Sequence, residues 1–259
     1  MASLLGAVLA VHVAAGFVGL TAFWVPVIAA KGGRNHVKFG RIYELSAYVV
    51  AVSSILAPSI RMARDYLAGR SFSSHPELYA MPIFLAYVGL VTLAIVRHGV
   101  RVNRVRNRPM ELRTPLHILL SWAPYAGAAA IATLALAVPT PDSPVLLALI
   151  PIAVVYGWAM RRDVRDPAGS LPRRGWFFSH MTAMLLGGVA FHSAFLAQQT
   201  LHLGLPGWLA IVPWVLPSAI GFPAIVLWNR HYHRRFGGSA VTASAPTPAT
   251  VDAGGVHGA

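Results

Sequence analysis

The chain has 259 residues, of which 56% are hydrophobic and 11% charged, against roughly 25% charged in an average soluble domain. Its mean hydropathy is +0.60 and it has no cysteine, which excludes a disordered chain, a disulfide scaffold, a thiolate metal site and a cysteine nucleophile. The composition is that of an integral membrane protein with an excess of base, 21 Lys and Arg against eight Asp and Glu.

The spans follow from stretches free of charge. Leu4–Ala30 is the first, and with no basic segment ahead of it this run predicts a transmembrane helix rather than a cleavable leader. It ends at a basic, Gly-rich loop, 31–41, that carries Lys31, Arg34, Lys38 and Arg41. Ile42–Ile60 is the second span, opened by Glu44 and closed by Arg61 and Arg64, which snorkel by default. Tyr79–Val96 is the third, and an arginine-dense loop, 97–113, follows. Thr114–Val138 is the fourth, and Pro139-Thr-Pro-Asp-Ser-Pro turns it into the fifth, Val145–Met160. The loop 161–174 carries five arginines and two aspartates. The uncharged stretch from Gly175 to Asn229 is too long for one helix. Gly204-Leu-Pro-Gly207 breaks it into Trp176–Leu201 and Trp208–Trp228. Pro213, Pro217 and Pro223, with Gly221, predict a kinked or interrupted seventh helix. The expectation is therefore all-α: a polytopic bundle of about seven spans over residues 1–235, followed by a disordered tail, 236–259.

Every second loop is basic, and the alternate loops are poor in charge. Basic loops face the cytoplasm, which places the N-terminus outside and the C-terminus inside, in the cell's inner membrane. The same distribution accounts for the net charge of +13. It marks topology and contact with anionic lipid headgroups rather than nucleic-acid binding.

Ionisable groups inside a bilayer are functional candidates. All eight acids fall in loops, in the tail or at span edges, and no lysine lies inside a span. A retinal Schiff base is thereby excluded, and carboxylate-based pumps and carboxylate-plus-histidine zinc hydrolases are disfavoured. Histidine remains. His12 and His192 lie at similar depth toward the outer face, about 12 Å in at ~1.5 Å per residue. His117 and His180 open spans four and six near the cytoplasmic face, with His36 in the adjoining loop. Paired imidazoles on different helices suit axial ligation of a b-type haem. This reading gives His12 with His192 on one side, His117 with His180 on the other, and His36 as a replacement ligand or propionate partner. His75, His98, His202, His231, His233 and His257 fall in loops or the tail. Electron transfer through haem, with a redox protein or quinone as partner, is the leading expectation. A transporter with its site at the broken seventh helix, a non-catalytic assembly partner docking through the arginine loops, and a histidine-only zinc enzyme are the alternatives.

Two stretches carry a family resemblance. One is His12-Val-Ala-Ala-Gly16 followed by Lys31-Gly-Gly-Arg-Asn-His36-Val-Lys-Phe-Gly40-Arg41-Ile-Tyr43. The other is His180-Met-Thr-Ala-Met184, then Ala190, Ala194 and Phe195, then Trp214-Val-Leu-Pro217-Ser-Ala-Ile-Gly221-Phe-Pro223. Together they resemble the DUF2306 family of bacterial membrane proteins of unknown function. The resemblance implies a polytopic membrane fold and singles out His12, His36 and His180, whereas His117 and His192 fall outside its pattern.

Overall fold

In the computed structural model the described residues are 2–139, 143–148, 150–171, 173–203, 209 and 211–242, and every regular element among them is helical. The long helices are α1 (Ala2–Ile28), α2 (Arg34–Leu67), α3 (Glu77–Arg104) and α4 (Pro115–Ala137). The shorter α5 (Ser143–Ala148), α6 (Ile150–Arg165) and α7 (Pro167–Ser170) follow, and the chain closes with α8 (Gly175–Leu203) and α9 (Val212–Thr242). A single 3-10 turn, Pro109–Leu112, lies between α3 and α4.

Six segments among the described residues are long and apolar enough to cross a membrane: Ser3–Ile28, Arg34–Leu67, Glu77–Arg104, Pro115–Ala137, Gly175–Gln199 and Val212–Phe236. The described residues of the expected fifth span fall in α5 and α6, which are not among these six. α6 has 16 residues, about 24 Å at ~1.5 Å per residue, which is short of the ~30 Å hydrocarbon core. The expected break at 204–207 and Trp208 lie outside the described residues, as do 243–259 of the expected tail, while α9 continues to Thr242.

α3 is the axle. It packs against α2 on one side and α8 on another, and it also touches α4 and α6. Around it Tyr43, Phe84, Ile131 and Met160 form the core, with Ala94 and Ala183 filling the closest helix approaches. Two of these approaches require glycine. A Cβ at Gly188 would strike the Phe23 ring, and one at Gly127 would strike the Tyr87 ring. Small residues let backbones close in lipid, where no hydrophobic force draws helices together. The outer faces are apolar instead: Val11, Phe17, Leu119, Leu136, Ile220 and Leu227 are all exposed. A bilayer solvates such a surface and water does not.

Several expected loops are helical. Arg34, His36, Lys38 and Arg41 lie in the first turns of α2 rather than in a connection. α3 runs eight residues past Val96 to Arg104, which puts His98 on the helix, and α6 runs past Met160 to Arg165, which puts Asp163 on it. The physical reason is common to α3 and α6. Each closes with basic residues in its last turn, Arg101 and Arg104 in one and Arg162 and Arg165 in the other, where cations stabilise the negative end of the helix dipole. Charge marks the edge of the hydrocarbon, whereas the helix ends at its cap. Of the kinked or interrupted seventh helix expected, the interruption is absent at these prolines: α9 is continuous through Pro217 and Pro223. In the short link after α1, Lys31 donates to the carbonyls of Pro26 (2.8 Å) and Val27 (2.7 Å), and burial holds its ammonium below the usual lysine range.

Candidate functional site

The end of α3, the start of α4, the end of α6 and the start of α8 meet at one end of the bundle. α4 and α6 are antiparallel there, with Arg161 donating to Ser121 at 3.1 Å and a Gly157 Cβ meeting Pro124. α3 offers His98, which is 2% exposed; α4 offers His117, at 0%; and α6 offers Asp163, at 1%. Polar side chains this deep are retained only when bonded, and these bond to one another. His98 Nε2 lies 3.2 Å from Asp163 Oδ2, and His98 Nδ1 lies 3.1 Å from His117 Nε2. The two imidazoles stack nearly parallel, with centroids 5.3 Å apart and planes 9° apart.

Asp163 is over-determined. Oδ2 also accepts from the Ser179 hydroxyl, and Oδ1 accepts from Arg162 Nε at 3.2 Å and from its terminal amino group at 3.0 Å. Thr114 caps α4 and accepts from the His117 backbone N–H at 3.4 Å, which fixes the first turn carrying that ring. With Asp163 ionised, His98 Nε2 donates to it. His98 Nδ1 then either accepts from His117 Nε2–H or, when His98 carries both protons, donates to His117. The far nitrogen, His117 Nδ1, is buried with no partner among the described residues. Asp163, His98 and His117 are thus a linear chain of three proton-exchanging groups with one free end.

The other end of the chain opens on a cleft of about 400 Å³ between α3, α6, α8 and α9. Asp163, Ser179, Thr182, Asn229 and Tyr156 supply polar atoms to its lining. Asn229 is held by Thr182 (3.2 Å) and the Ile225 carbonyl (2.9 Å), whereas the buried Tyr156 hydroxyl has no partner among the described residues. At the mouth His233 stacks on Phe178 at 3.7 Å.

The five sequence-derived histidines are distributed differently from their expected pairs. His12 Nδ1 bonds Ser53 at 2.8 Å, on α2. His192 has both ring nitrogens engaged: Nδ1 donates to the Gly188 carbonyl at 2.7 Å, and Nε2 accepts from Trp24 Nε1 at 3.2 Å. α1 and α8 run antiparallel, with Phe17 beside Phe195 and Gly19 beside Phe191. His12 is therefore seven residues, or about 10 Å, along α1 from the level that faces His192. His117 and His180 both abut α3 at adjacent positions, but His117 pairs with His98, while His180 Nδ1 donates to the Gly99 carbonyl at 2.8 Å. His36 Nδ1 contacts the Pro26 carbonyl at 3.1 Å and stands within electrostatic reach of His180. Among the described residues no three His, Cys, Asp or Glu side chains are grouped to hold a metal ion.

His98 and Asp163 are the functional residues that charge counting misses. A signal for both was present. Val96 and Val100 continue the apolar i, i+4 pattern across His98, and Tyr156, Met160 and Val164 continue it beside Asp163; all five are buried. No protein-family model matches the chain, and no curated protein or solved structure matches it.

Proposed function

We propose that this is a multi-pass membrane protein that moves protons through the Asp163–His98–His117 chain, with the polar cleft as the chain's mouth. The observation that carries the reading is the chain itself: three buried titratable groups in hydrogen-bond contact, where burying even one costs several kcal/mol. A proton accepted at His117 Nδ1 lets His117 Nε2–H pass to His98 Nδ1 and His98 Nε2–H pass to Asp163. Rotation of the rings then resets both tautomers. The seven-span arrangement, N-terminus outside, fits this geometry. α6 is antiparallel to α4 and returns the chain to the end where α3 finishes, so α5 and α6 together supply the fifth crossing. The basic loops at that end support a relay at the cytoplasmic face of the inner membrane.

The test is proton flux into liposomes that carry the full chain and a trapped pH-sensitive dye, under an imposed pH gradient. The wild-type chain is expected to discharge the gradient faster than protein-free vesicles, and Asp163→Asn and His98→Gln are each expected to fall to the protein-free rate. Equal discharge by the wild type and His98→Gln refutes the relay. Haem-based electron transfer, the leading expectation from histidine placement, requires His192 Nε2 to leave Trp24, whereas the His12 bond to Ser53 uses Nδ1 alone. An absorption spectrum of the same purified material decides it: a Soret band lost in His180→Ala returns the function to electron transfer.

A further inference from the structure

Arg97 and Arg101 stand one turn apart on α3, so both guanidinium groups leave the same face of the helix. The Nε of each is buried with no hydrogen-bond partner among the described residues, and so is Nδ1 of His117. His117 is fully buried and lies within electrostatic reach of both arginines. Three unanswered nitrogens thus gather across the His98 ring from the cleft. The acids at this end are engaged elsewhere. Glu44 pairs with Arg104 at 2.8 Å, Glu111 pairs with Arg108 at 3.4 Å, and Asp163 is held by His98 and Arg162. Among the described residues the pair makes one side-chain hydrogen bond, from Arg101 to the Glu111 carbonyl at 2.5 Å.

Buried donors in a native fold answer to an acceptor; Glu111 lies within electrostatic reach of Arg101, but no carboxylate among the described residues is bonded to either guanidinium, and the two together suit an oxyanion. We propose that Arg97, Arg101 and His117 form a binding site for a phosphate-type anion at the His117 end of the proposed proton chain, away from the cleft. Its oxygens accept from both Nε–H groups, in the charge-assisted geometry for which guanidinium is suited. His117 Nδ1 joins as a third donor when His98 carries both of its protons. A phospholipid headgroup and free phosphate present the same chemistry to this site.

The experiment is native mass spectrometry on the full chain in zwitterionic detergent, titrated separately with phosphatidylglycerol, phosphatidylcholine and inorganic phosphate. One equivalent of phosphatidylglycerol or phosphate is expected to bind ahead of phosphatidylcholine. Arg97→Gln with Arg101→Gln is expected to weaken that binding about a hundredfold, or about tenfold for each charge-assisted donor removed. The lysine pair, Arg97→Lys with Arg101→Lys, keeps both charges but lacks the Nε–H donors, and is expected to lose about tenfold. Arg106→Gln, an arginine at the same end that already contacts Asn103 and Trp176, leaves the affinity unchanged. Saturation by phosphatidylglycerol with no response to phosphate assigns the site to a lipid headgroup; saturation by phosphate alone assigns it to a soluble anion. Unchanged affinity in the glutamine pair overturns the site, as does an equal loss in Arg106→Gln. If the glutamine pair does not fold, unchanged affinity in the lysine pair overturns it.

Discussion

Asp163→Ala is the most informative single substitution, because the structure fixes what it leaves behind. The carboxylate accepts from four donors on three residues. The Arg162 side chain is 51% exposed, so on losing Asp163 its guanidinium turns to water and adds nothing to the cost. The His98 N–H and the Ser179 hydroxyl have no such exit. Each buried donor left without an acceptor costs ~1–3 kcal/mol. The sum is ~2–6 kcal/mol, with a midpoint of about 4, which agrees with the ~3–5 kcal/mol typical of breaking a buried pair from one side. Asp163→Asn keeps the shape and one acceptor oxygen, which can still serve Ser179 or His98 but not both well, so about half that loss is expected. Replacing Asp163 and His98 together by Leu still strands the Ser179 hydroxyl and takes the partner from His117 Nε2, so it is expected to recover no stability relative to Asp163→Ala. Unfolding of the purified chain by graded denaturing detergent, followed by circular dichroism, measures all three. A loss below about 1 kcal/mol in Asp163→Ala would mean that the carboxylate is not the acceptor holding His98 and Ser179, and the relay would have no anchor.

Gly127→Ala places a methyl group against the Tyr87 ring and is expected to cost ~1–3 kcal/mol of overpacking, whereas Gly16→Ala, where an added Cβ meets nothing within 4 Å, is expected to be neutral or to gain up to about 1 kcal/mol; melting temperatures of the two variants side by side check the contrast. Ser53→Ala removes the hydroxyl that bonds His12 at 2.8 Å and is expected to cost about 1 kcal/mol without altering proton flux, since His12 lies outside the relay; a flux loss equal to that of His98→Gln would join His12 to the path. Because the chain has no cysteine, single cysteines report topology against a silent background. In intact cells, an impermeant maleimide is expected to label Ser3→Cys, Ser71→Cys and Pro139→Cys but not Asn107→Cys or Gly169→Cys. Labelling of positions 139 and 169 from the same side would remove the fifth crossing.

What could be read from the sequence and what could not divide along a physical line. Hydrocarbon imposes one rule on every residue that enters it, so the absence of charge over some twenty residues locates a helix without knowledge of its neighbours. Two of the expected spans, Ile42–Ile60 and Tyr79–Val96, lie wholly within helices long and apolar enough to cross, and Leu4–Ala30, Thr114–Val138, Trp176–Leu201 and Trp208–Trp228 overlap such helices but overrun their ends by one to four residues. Helix ends obey other rules, of dipole and cap, and the arginines that close α3 and α6 were for that reason read as loop. The cost falls on the site: His98 and Asp163 each sit beside an arginine, and charge alone puts each in a loop with it. Pairing was illegible for a different reason. Equal depth in two helices is a statement about distance along each axis, whereas ligation needs a shared level and a shared face, and those depend on how α1 packs against α8. Gly19 and Gly188 set that packing, through their contacts with Phe191 and Phe23.

The position of the relay follows from the same costs. Three titratable groups at the centre of a bilayer would each carry a large desolvation penalty, but at the end of the bundle the penalty is shared with Arg162, Ser179 and the polar lining of the cleft. There the carboxylate can stay ionised while His98 and His117 remain sealed from bulk water. A relay needs both conditions. Too much water lets protons bypass the chain, and too little leaves Asp163 without the bonds that keep it charged. The contrast between the half-exposed guanidinium of Arg162 and the buried carboxylate it bonds, 51% against 1%, marks where the chain passes from one regime to the other. Replacing Arg162 with Leu tests that boundary. Without the bridging cation, proton flux is expected to fall although every member of the relay is intact, and unaltered flux would place the proton's exit somewhere other than the cleft.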